Sequence, residues 1–325
     1  MSGDERRFFS ERRPLGLILF GRNCDSPGQV RALVESFRAC VGDDRAPVLI
    51  DQEGGRVARL KPPHWRAAPA AGRIGALAGA NLDAARESAR LNARLIAAEL
   101  DDLGVTVDCA PVLDTPVRGA DDVIGDRAFA ADTRVVAALG EAFCEGLLAG
   151  GVLPQIKHIP GHGRARSDSH DSLPVVESPL AELRASDFVP FARLSHAPWA
   201  MTAHVAFTAI DDAPATLSAR VIGEVIRGEL GFDGLLSSDD LSMAALRGGL
   251  GERARAALAA GCDVALHCSG DLDQMADVDR AVRPLDDAAL ARLAAAEAMQ
   301  GAPEPFDRAA ALARLDSLLG VGQAA

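Results

Sequence analysis

The residues from Lys157 to His170 have the types and spacing that proton-transfer chemistry needs. They read K-H-I-P-G-H-G-R-A-R-S-D-S-H and hold three of the chain's seven histidines, so titratable groups are concentrated here. Asp168 stands two residues before His170, where its carboxylate can accept the imidazole N–H, fix the tautomer and raise the basicity of the ring. The pattern favours a proton-transfer pair on a mobile loop. A solvated turn in which Asp168 or Ser169 caps a helix is the alternative that it leaves open.

A second candidate is the carboxylate pair Asp239 and Asp240, in the sequence L-L-S-S-D-D-L-S-M over 235–243. The pair follows an apolar run that is typical of a buried strand. Neighbouring side chains of an extended chain point in opposite directions, so only one of the two carboxylates is expected to face a reacting centre. The other would then cap the helix that follows Leu241.

A third candidate is the sequence D-Q-E-G-G-R-V-A-R over 51–59, which presents carboxylates and cations around a Gly-Gly turn. Such a mixture of donors and acceptors suits the hydroxyls of a sugar. A structural ion pair between Asp51 or Glu53 and Arg56 or Arg59 explains the same residues equally well. Arg127, taken alone, is interpreted as a surface residue.

Histidines 158, 162, 170, 204 and 267, together with the aspartates, also raise the possibility of a metal-dependent hydrolase. The spacing gives this hypothesis weak support. The H-x-x-x-H pair at 158 and 162 spans Pro160, so it cannot lie on one face of a helix as metal-binding pairs do. A nucleophilic serine enzyme is less favoured still, because no G-x-S-x-G sequence is present.

The elements that must hold these side chains are short apolar strands alternating with helices. The predicted strands are 16–20, 47–50, 105–113, 152–156, 199–205, 234–237 and 263–267. The predicted helices are 4–12, 27–40, 81–103, 132–149, 179–195, 218–229 and 251–260. Near-continuous apolar strands separated by helices are what a parallel sheet covered by helices requires.

The polar candidates fall at or just after the carboxyl ends of these strands, the edge at which the loops of a (β/α)8 barrel surround one pocket. We therefore predict an α/β fold, a (β/α)8 TIM-type barrel, rather than a doubly wound sheet, which usually carries a glycine-rich phosphate loop. Only seven strands are counted and the chain starts in a helix, so the first strand is expected to be missing or irregular. Residues 1–325 are predicted to form a single catalytic domain, with 272–325 as C-terminal helices packed on the barrel.

Composition limits the classes of function. The formal net charge of −12 and the pI near 5.1 argue against nucleic-acid binding, which needs clustered cations in excess. No run of about 18 apolar residues predicts a membrane span, and the charged N-terminus does not resemble a secretory signal. The six cysteines form no C-x-x-C pair and indicate buried thiols in a reducing compartment. A cytoplasmic protein is expected, and a monomer.

Several motifs in order closely resemble glycoside hydrolase family 3. The quoted stretches are D-Q-E-G-G-R-V at 51–57, A-P-V-L-D at 110–114, K-H-I-P-G-H-G with D-S-H at 157–170, P-A-T-L-S at 214–218 and G-F-D-G-L-L-S-S-D-D-L-S-M at 231–243. The resemblance covers about residues 16–270. Within the family, the chain is most similar to the bacterial β-N-acetylglucosaminidases of cell-wall recycling.

This resemblance implies a retaining, two-step hydrolysis without a cofactor or metal. Asp239 matches the nucleophile that forms a covalent glycosyl-enzyme. His170 matches the general acid/base, and Asp168 matches its partner. An imidazole titrates near neutral pH, so it can protonate the leaving oxygen and then deprotonate water. A loop must close to bring it to the nucleophile.

The resemblance also implies a sugar substrate. Five residues match positions that hold the N-acetylglucosamine ring: Asp51, Arg59, Arg127, Lys157 and His158. The implied substrates carry terminal, non-reducing β-linked N-acetylglucosamine on 1,6-anhydro-N-acetylmuramic acid, with or without peptide. Arg164 and Arg166 depart from the family pattern, and we interpret them as an added attraction for anionic muropeptide carboxylates.

Three other functions stay open at this point. The same scaffold could act as a phosphorylase, because a histidine acid/base does not repel phosphate as a carboxylate does. A metal-dependent barrel hydrolase is a second alternative, and a non-catalytic sugar-binding protein is a third. The complete set of Asp239, His170 and Asp168 argues against the third.

Overall fold

The computed structural model describes residues 1–321, and its main sheet has six parallel strands. In sheet order these are β1 (Leu17–Leu19), β2 (Val48–Ile50), β5 (Val107–Asp108), β6 (Leu153–Ile159), β8 (Trp199–Thr202) and β11 (Leu235–Ser237). Two smaller sheets lie apart from it: the antiparallel hairpin β3 (Gln52–Gly54) with β4 (Val57–Ala58), and the trio β7 (Val175–Val176), β9 (Ala206–Phe207) and β10 (Asp211–Pro214).

Eleven α-helices occur within the described residues. They are α1 (Gly3–Arg12), α2 (Pro27–Val41), α3 (Ala71–Gly75), α4 (Leu82–Asp101), α5 (Thr133–Ala149), α6 (Leu180–Ala185), α7 (Phe188–Arg193), α8 (Leu250–Ala260), α9 (Leu272–Asp279), α10 (Asp287–Met299) and α11 (Arg308–Leu318). Short 3₁₀ turns cover Gly21–Asn23, Gly125–Arg127 and Ala215–Leu217, and a π-helix covers Val221–Glu229. No helix in residues 1–321 is long and apolar enough to cross a membrane.

The helices cover the outer face of the sheet. Side chains alternate along each strand, so Leu19 and Ile50 point outward and pack in the same core as Phe37 of α2 and Ile96 of α4. Helices α4 and α5 pack closely because Gly146 faces the backbone of α4. A Cβ at that glycine would lie 2.3 Å from the carbonyl oxygen of Arg90.

The inner face of the sheet surrounds a second apolar cluster. Leu49 of β2 belongs to it together with Trp199 of β8 and Leu235 of β11, although β5 and β6 lie between β2 and β8 in the sheet. The sheet must therefore curve around these side chains. Ala296 of α10 joins the same cluster, so this C-terminal helix packs against the inner apolar residues.

The predicted closed (β/α)8 barrel is wrong. Six strands form the sheet, and within residues 1–321 no ladder joins β1 to β11. The predicted strand 263–267 contributes only a single parallel bridge, between Ser237 and Val264. At the other edge, the capping box of Ser2 and Glu5 starts α1, so a helix precedes β1. The sheet is an open, curved half-barrel.

Two further predicted elements are shorter than expected. Residues 105–113 were expected to form one strand, but β5 covers only Val107–Asp108, and pairing resumes as a single parallel bridge between Val112 and Lys157. The helix predicted over 179–195 is broken into α6 and α7 at Ser186, whose hydroxyl bonds the carboxylate of Asp187.

The C-terminal helices lie against the rest of the chain. Leu315 of α11 packs with Leu95 of α4 in a small apolar cluster. Arg314 pairs with Glu87 at 2.8 Å on the surface above it. Residues 322–325, the end of the predicted C-terminal segment, lie outside the described part of the chain.

Candidate active site

A buried ion-pair cluster lies at the carboxyl end of the sheet. The ammonium group of Lys157, on β6, is 2.7 Å from Asp51 Oδ1 and 2.7 Å from Glu53 Oε1. Its side chain is only 2% exposed, so both carboxylates and the ammonium are largely withdrawn from water. Burial raises the pKa of Asp51, but the charges of Lys157 and Arg59 outweigh this effect and hold the pKa below its ordinary value.

Two arginines complete the cluster. Arg59 donates to Asp51 Oδ2 at 2.8 Å, and Arg127 donates to both carboxylate oxygens of Glu53 at 2.9 and 2.8 Å. The bidentate geometry fixes the orientation of Glu53. Three cations thus face the two carboxylates of the cluster.

The β3–β4 hairpin positions Arg59. Gln52 is fully buried, and its side-chain oxygen accepts the backbone N–H groups of Arg59 and Leu60 at 2.8 and 3.0 Å. The turn itself requires glycine. Gly54 has φ +97°, and a Cβ there would lie 2.4 Å from the carbonyl oxygen of Pro69.

Asp114 organises two histidines beside the cluster. Its Oδ2 is 2.6 Å from His158 Nδ1, and its Oδ1 accepts the backbone N–H of His162 at 2.7 Å. Asp114 is fully buried, and burial raises its pKa, but the two histidines more than offset this and lower it. Asp114 is therefore an anionic anchor that fixes the ring of His158.

Asp168 and His170 form a hydrogen-bonded pair on the loop after β6. His170 Nδ1 is 2.7 Å from Asp168 Oδ1, and the backbone N–H of His170 donates to the same oxygen at 2.9 Å. The His170 side chain is 66% exposed, so the ring reaches into solvent. Burial raises the pKa of Asp168, but the two bonds from His170 lower it below its ordinary value.

Ser169 anchors this loop at its centre. Its hydroxyl lies 3.2 Å from His162 Nε2, and its carbonyl accepts the backbone N–H of Ala245 at 3.1 Å. Gly163 lets the start of the loop pack tightly, since a Cβ there would lie 2.1 Å from the carbonyl oxygen of Thr115. The pair on either side of Ser169 is thus tied to the segment that follows Asp239.

Asp239 lies two residues beyond β11 and is partly buried. Its Oδ1 accepts the backbone N–H of Asp240 at 2.7 Å, and Oδ2 has no hydrogen-bond partner within residues 1–321. Burial raises the pKa of Asp239, but nearby imidazoles and the Asp240 N–H lower it below its ordinary value. The carboxylate is therefore ionised, with one oxygen held and the other unoccupied.

The neighbouring Asp240 has a different role. Its carboxylate accepts the backbone N–H and hydroxyl of Ser242 and the backbone N–H of Cys268. It caps a turn rather than the start of a helix, because the next helix begins only at Leu250.

The structure brings most of the predicted site residues into two groups. Asp51, Arg59, Arg127 and Lys157 share one ion-pair cluster, and Asp168 with His170 forms a separate pair on its loop. Arg127 is largely buried on Glu53, so its interpretation as a surface residue is wrong.

Four further polar residues of the site were not predicted to bind the sugar or to take part in catalysis: Glu53, Asp114, His162 and His204. Each is buried at or near the carboxyl end of a strand. Their position directly after an apolar run was the available signal.

Arg164 does not have the role that we gave it. Its guanidinium bonds Asp187 Oδ2 and Glu182 Oε1, both at 2.6 Å, and its side chain is mostly buried. This arginine joins the loop to α6 and α7 and is not free to attract a substrate carboxylate. Arg166 is exposed, and for this residue the attraction for a substrate carboxylate stays a prediction.

Metal binding was one of the alternatives that the sequence left open. Within residues 1–321, no group of three or more histidine, cysteine, aspartate or glutamate side chains is arranged to hold a metal ion. His158 instead hydrogen-bonds Asp114, and His170 hydrogen-bonds Asp168. All six cysteines are free thiols.

Comparison with known proteins identifies the family. Residues 3–298 match the N-terminal domain of glycosyl hydrolase family 3. A beta-hexosaminidase of Alkalilimnicola ehrlichii is 44% identical over 275 residues, which cover 83% of this chain and 78% of that protein. The beta-hexosaminidase of Pseudomonas aeruginosa is 41% identical over 296 residues, which cover 90% of this chain and 84% of that protein.

Solved structures agree with these relatives. NagZ from Neisseria gonorrhoeae, in complex with N-trifluoroacetyl-D-glucosamine, superposes with a TM-score of 0.88 at 32% identity, covering 98% of this chain and 95% of that one. The beta-N-acetylglucosaminidase from Thermotoga maritima superposes with a TM-score of 0.75 at 28% identity, covering 92% and 64%. The resemblance found in the motifs is confirmed: the chain belongs to glycosyl hydrolase family 3.

Proposed function

We propose that this family 3 β-N-acetylhexosaminidase is an exo-acting enzyme that releases terminal, non-reducing β-linked N-acetylglucosamine from cell-wall-derived muropeptide sugars. The substrates would be N-acetylglucosaminyl-1,6-anhydro-N-acetylmuramic acid, with or without peptide. Two relatives support the sugar: one NagZ structure holds an N-acylated glucosamine, and another solved relative is a beta-N-acetylglucosaminidase. We further propose that residues 1–325 act as one catalytic domain and need no cofactor or metal.

The observation that carries the mechanism is the bond between His170 Nδ1 and Asp168. It leaves Nε2 as the ring nitrogen that can exchange a proton with substrate, and no hydrogen bond occupies Nε2 among residues 1–321. In the first step, protonated His170 would donate its Nε2 proton to the glycosidic oxygen while Asp239 Oδ2 attacks the anomeric carbon. In the second step, neutral His170 would take a proton from water, which attacks the same carbon and releases Asp239.

The net stereochemistry of these two steps is retention, because each displacement inverts the anomeric carbon. Asp168 would stabilise the imidazolium that exists before the first step and after the second. Its lowered pKa supports this role, since the carboxylate stays ionised at neutral pH.

The ion-pair cluster supports a binding role. Asp51, Arg59, Arg127, Lys157 and His158 would hold the hydroxyls of the N-acetylglucosamine ring. The ion pairs of the cluster, and for His158 the bond to Asp114, already fix these groups, so little ordering remains to be done when the sugar arrives. Arg59 is the most exposed residue of the ion-pair cluster, with 27% of its side chain accessible, and would contact the sugar first.

The test is to incubate the purified protein with the anhydro-disaccharide, with its peptide-bearing form and with a chromogenic β-N-acetylglucosaminide. Proton NMR of the first-formed product should show the β-anomer of N-acetylglucosamine from all three. Added phosphate should not yield the sugar 1-phosphate, and a chelator should not change the rate. Formation of the α-anomer would contradict retention, and the 1-phosphate would identify a phosphorylase.

A further inference from the structure

The P-A-T-L-S motif contributes a buried polar chain that the proposed reaction has not used. Thr202, His204 and Thr216 are all fully buried. Thr202 Oγ1 is 2.8 Å from Thr216 Oγ1, which is 2.7 Å from His204 Nδ1. On its other side, His204 Nε2 is 3.0 Å from the carbonyl oxygen of Asp240.

The partners of the ring determine where its protons lie. A backbone carbonyl only accepts, so Nε2 of His204 must carry a proton and donate it to Asp240. Burial lowers the pKa of His204, so the ring is neutral and Nδ1 has a lone pair. The Thr216 hydroxyl lies 2.7 Å from Nδ1 and 3.2 Å from the carbonyl oxygen of Ala203, so its single proton goes to the nearer acceptor, Nδ1. Thr202 can donate to Thr216. Each of the three side chains Thr202, Thr216 and His204 thus donates its proton to an acceptor.

The hydrogen-bonded chain ends on the backbone of Asp240, the residue that follows Asp239. The N–H of Asp240 holds Asp239 Oδ1, and the carbonyl of the same residue is held by His204. Asp240 is further fixed through its carboxylate by Cys268. A shift of this residue would therefore move the donor that orients the Asp239 carboxylate.

We propose that His204 and Thr216 are positioning residues that fix Asp240, and through its N–H aim Oδ2 of Asp239 at the anomeric carbon. This inference rests on the proposed function, in which Asp239 is the nucleophile. A displacement of about 1 Å at a reacting group can cost on the order of 100-fold in rate. The hydrogen bonds of Thr202, Thr216 and His204 would therefore maintain kcat by holding Asp239 in position, although none of the three residues contacts the sugar.

A packing role alone would not require both nitrogens of the ring to be bonded. An imidazole buried with one nitrogen unbonded carries a desolvation penalty, and an apolar side chain of similar size would fill the same space without it. The two bonds of His204 instead join Thr216 to the segment that bears Asp239.

The test compares Thr216→Val with Thr216→Ser. The valine variant keeps the shape but has no hydroxyl, and we expect kcat to fall about 10- to 100-fold while KM stays within about twofold. The serine variant keeps the donor and should retain most of the wild-type kcat. A valine variant that folds and keeps wild-type kcat would overturn the proposal, as would an equal loss in both variants.

A measurement independent of activity accompanies it. ¹⁵N NMR of the histidine side chains, with His204→Gln used to assign the signal, should show a neutral ring protonated at Nε2 near neutral pH. A ring protonated at Nδ1, or at both nitrogens, overturns the proposal even if Thr216→Val does not fold.

The failure of the proposed function gives a different result. If Asp239→Ala retains activity, Asp239 is not the nucleophile, whatever the Thr216 variants show. If Asp239→Ala is inactive while Thr216→Val is fully active, only the positioning role is lost.

Discussion

His170 Nδ1 lies 2.7 Å from Asp168 Oδ1, and the carboxylate oxygen that accepts this bond also accepts the backbone N–H of His170. The pair is therefore held by two bonds within three residues of chain. Because both contacts are local, the orientation of the ring relative to Asp168 is preserved wherever the loop moves. This relationship makes Asp168 the residue on which proton transfer by His170 should depend.

Asp168→Asn tests that dependence. The amide oxygen can still accept from His170, but the negative charge that stabilises the imidazolium is lost. We expect kcat/KM to fall on the order of 100-fold. The midpoint of thermal unfolding should change little, since Asp168 is partly exposed. Steady-state kinetics on a chromogenic substrate measures the effect, and an unchanged kcat/KM would show that Asp168 has no role in proton transfer.

Ser169→Ala should loosen the loop without touching the pair itself. It removes the hydroxyl that bonds His162. Burial, and then the charge of His158, lower the pKa of His162 to about 4, so this partner is a neutral ring at neutral pH. We expect faster amide hydrogen exchange over residues 161–172 and a several-fold lower kcat.

Ser172→Ala is the matched control for that change. Ser172 lies on the same loop, is exposed, and its hydroxyl makes no hydrogen bond within residues 1–321. The Ser172→Ala variant should have the same rates of amide hydrogen exchange over residues 161–172, and the same kcat, as the wild type. Equal exchange rates in the two variants would show that the bond to His162 does not restrain the loop.

Lys157→Met should strongly destabilise the protein. It leaves Asp51 and Glu53 without the buried ammonium that lies 2.7 Å from each. Removing one partner of a buried ion pair costs about 3 to 5 kcal/mol of unfolding free energy. Arg314→Met is the control, because the pair with Glu87 has a 2.8 Å separation but is exposed, and its loss should change little. Denaturant titration measures the free energy of unfolding of both variants. A small and similar loss of unfolding free energy in the two would contradict a stabilising role for the buried Lys157.

Asp108→Asn should stabilise the protein in a pH-dependent way. Burial raises the pKa of Asp108 to about 8, so the folded state keeps a proton that the unfolded state loses above about pH 4. The stability contributed by this proton is complete below pH 4 and is lost as the pH rises to 8. Asparagine cannot ionise, and its oxygen can still accept the N–H of Gln52.

The expected signature is a difference between variant and wild-type stability that is small at pH 4, grows with pH and levels off above 8. Urea titrations at several pH values measure it. A difference that is constant over this range would mean that Asp108 is not protonated in the folded protein at neutral pH.

Local features of the fold and site could be predicted from the sequence. The strands ending at Ile50 and Ser237 and the helix over 133–149 follow directly from apolar runs and periodicity. The pair of Asp168 and His170 could be predicted because its two members are two residues apart.

Features that depend on contacts between residues far apart in the chain could not be predicted from the sequence. Glu53 and Arg127 are 74 positions apart, and nothing in either segment identifies the other. Closure of the sheet depends on pairing between its first and last strands, which no single strand reveals. The run at 263–267 has the composition of a strand, yet among residues 1–321 its one β-bridge is the pairing of Val264 with Ser237.

The most direct test of the account is to identify the residue that carries the sugar. The wild-type protein is treated with a 2-fluoro glycosyl inactivator, digested and analysed by mass spectrometry, with Asp239→Ala treated in parallel. We expect a label on Asp239 in the wild type and neither a label nor turnover in the variant. A label on another residue, or full turnover by Asp239→Ala, would contradict it.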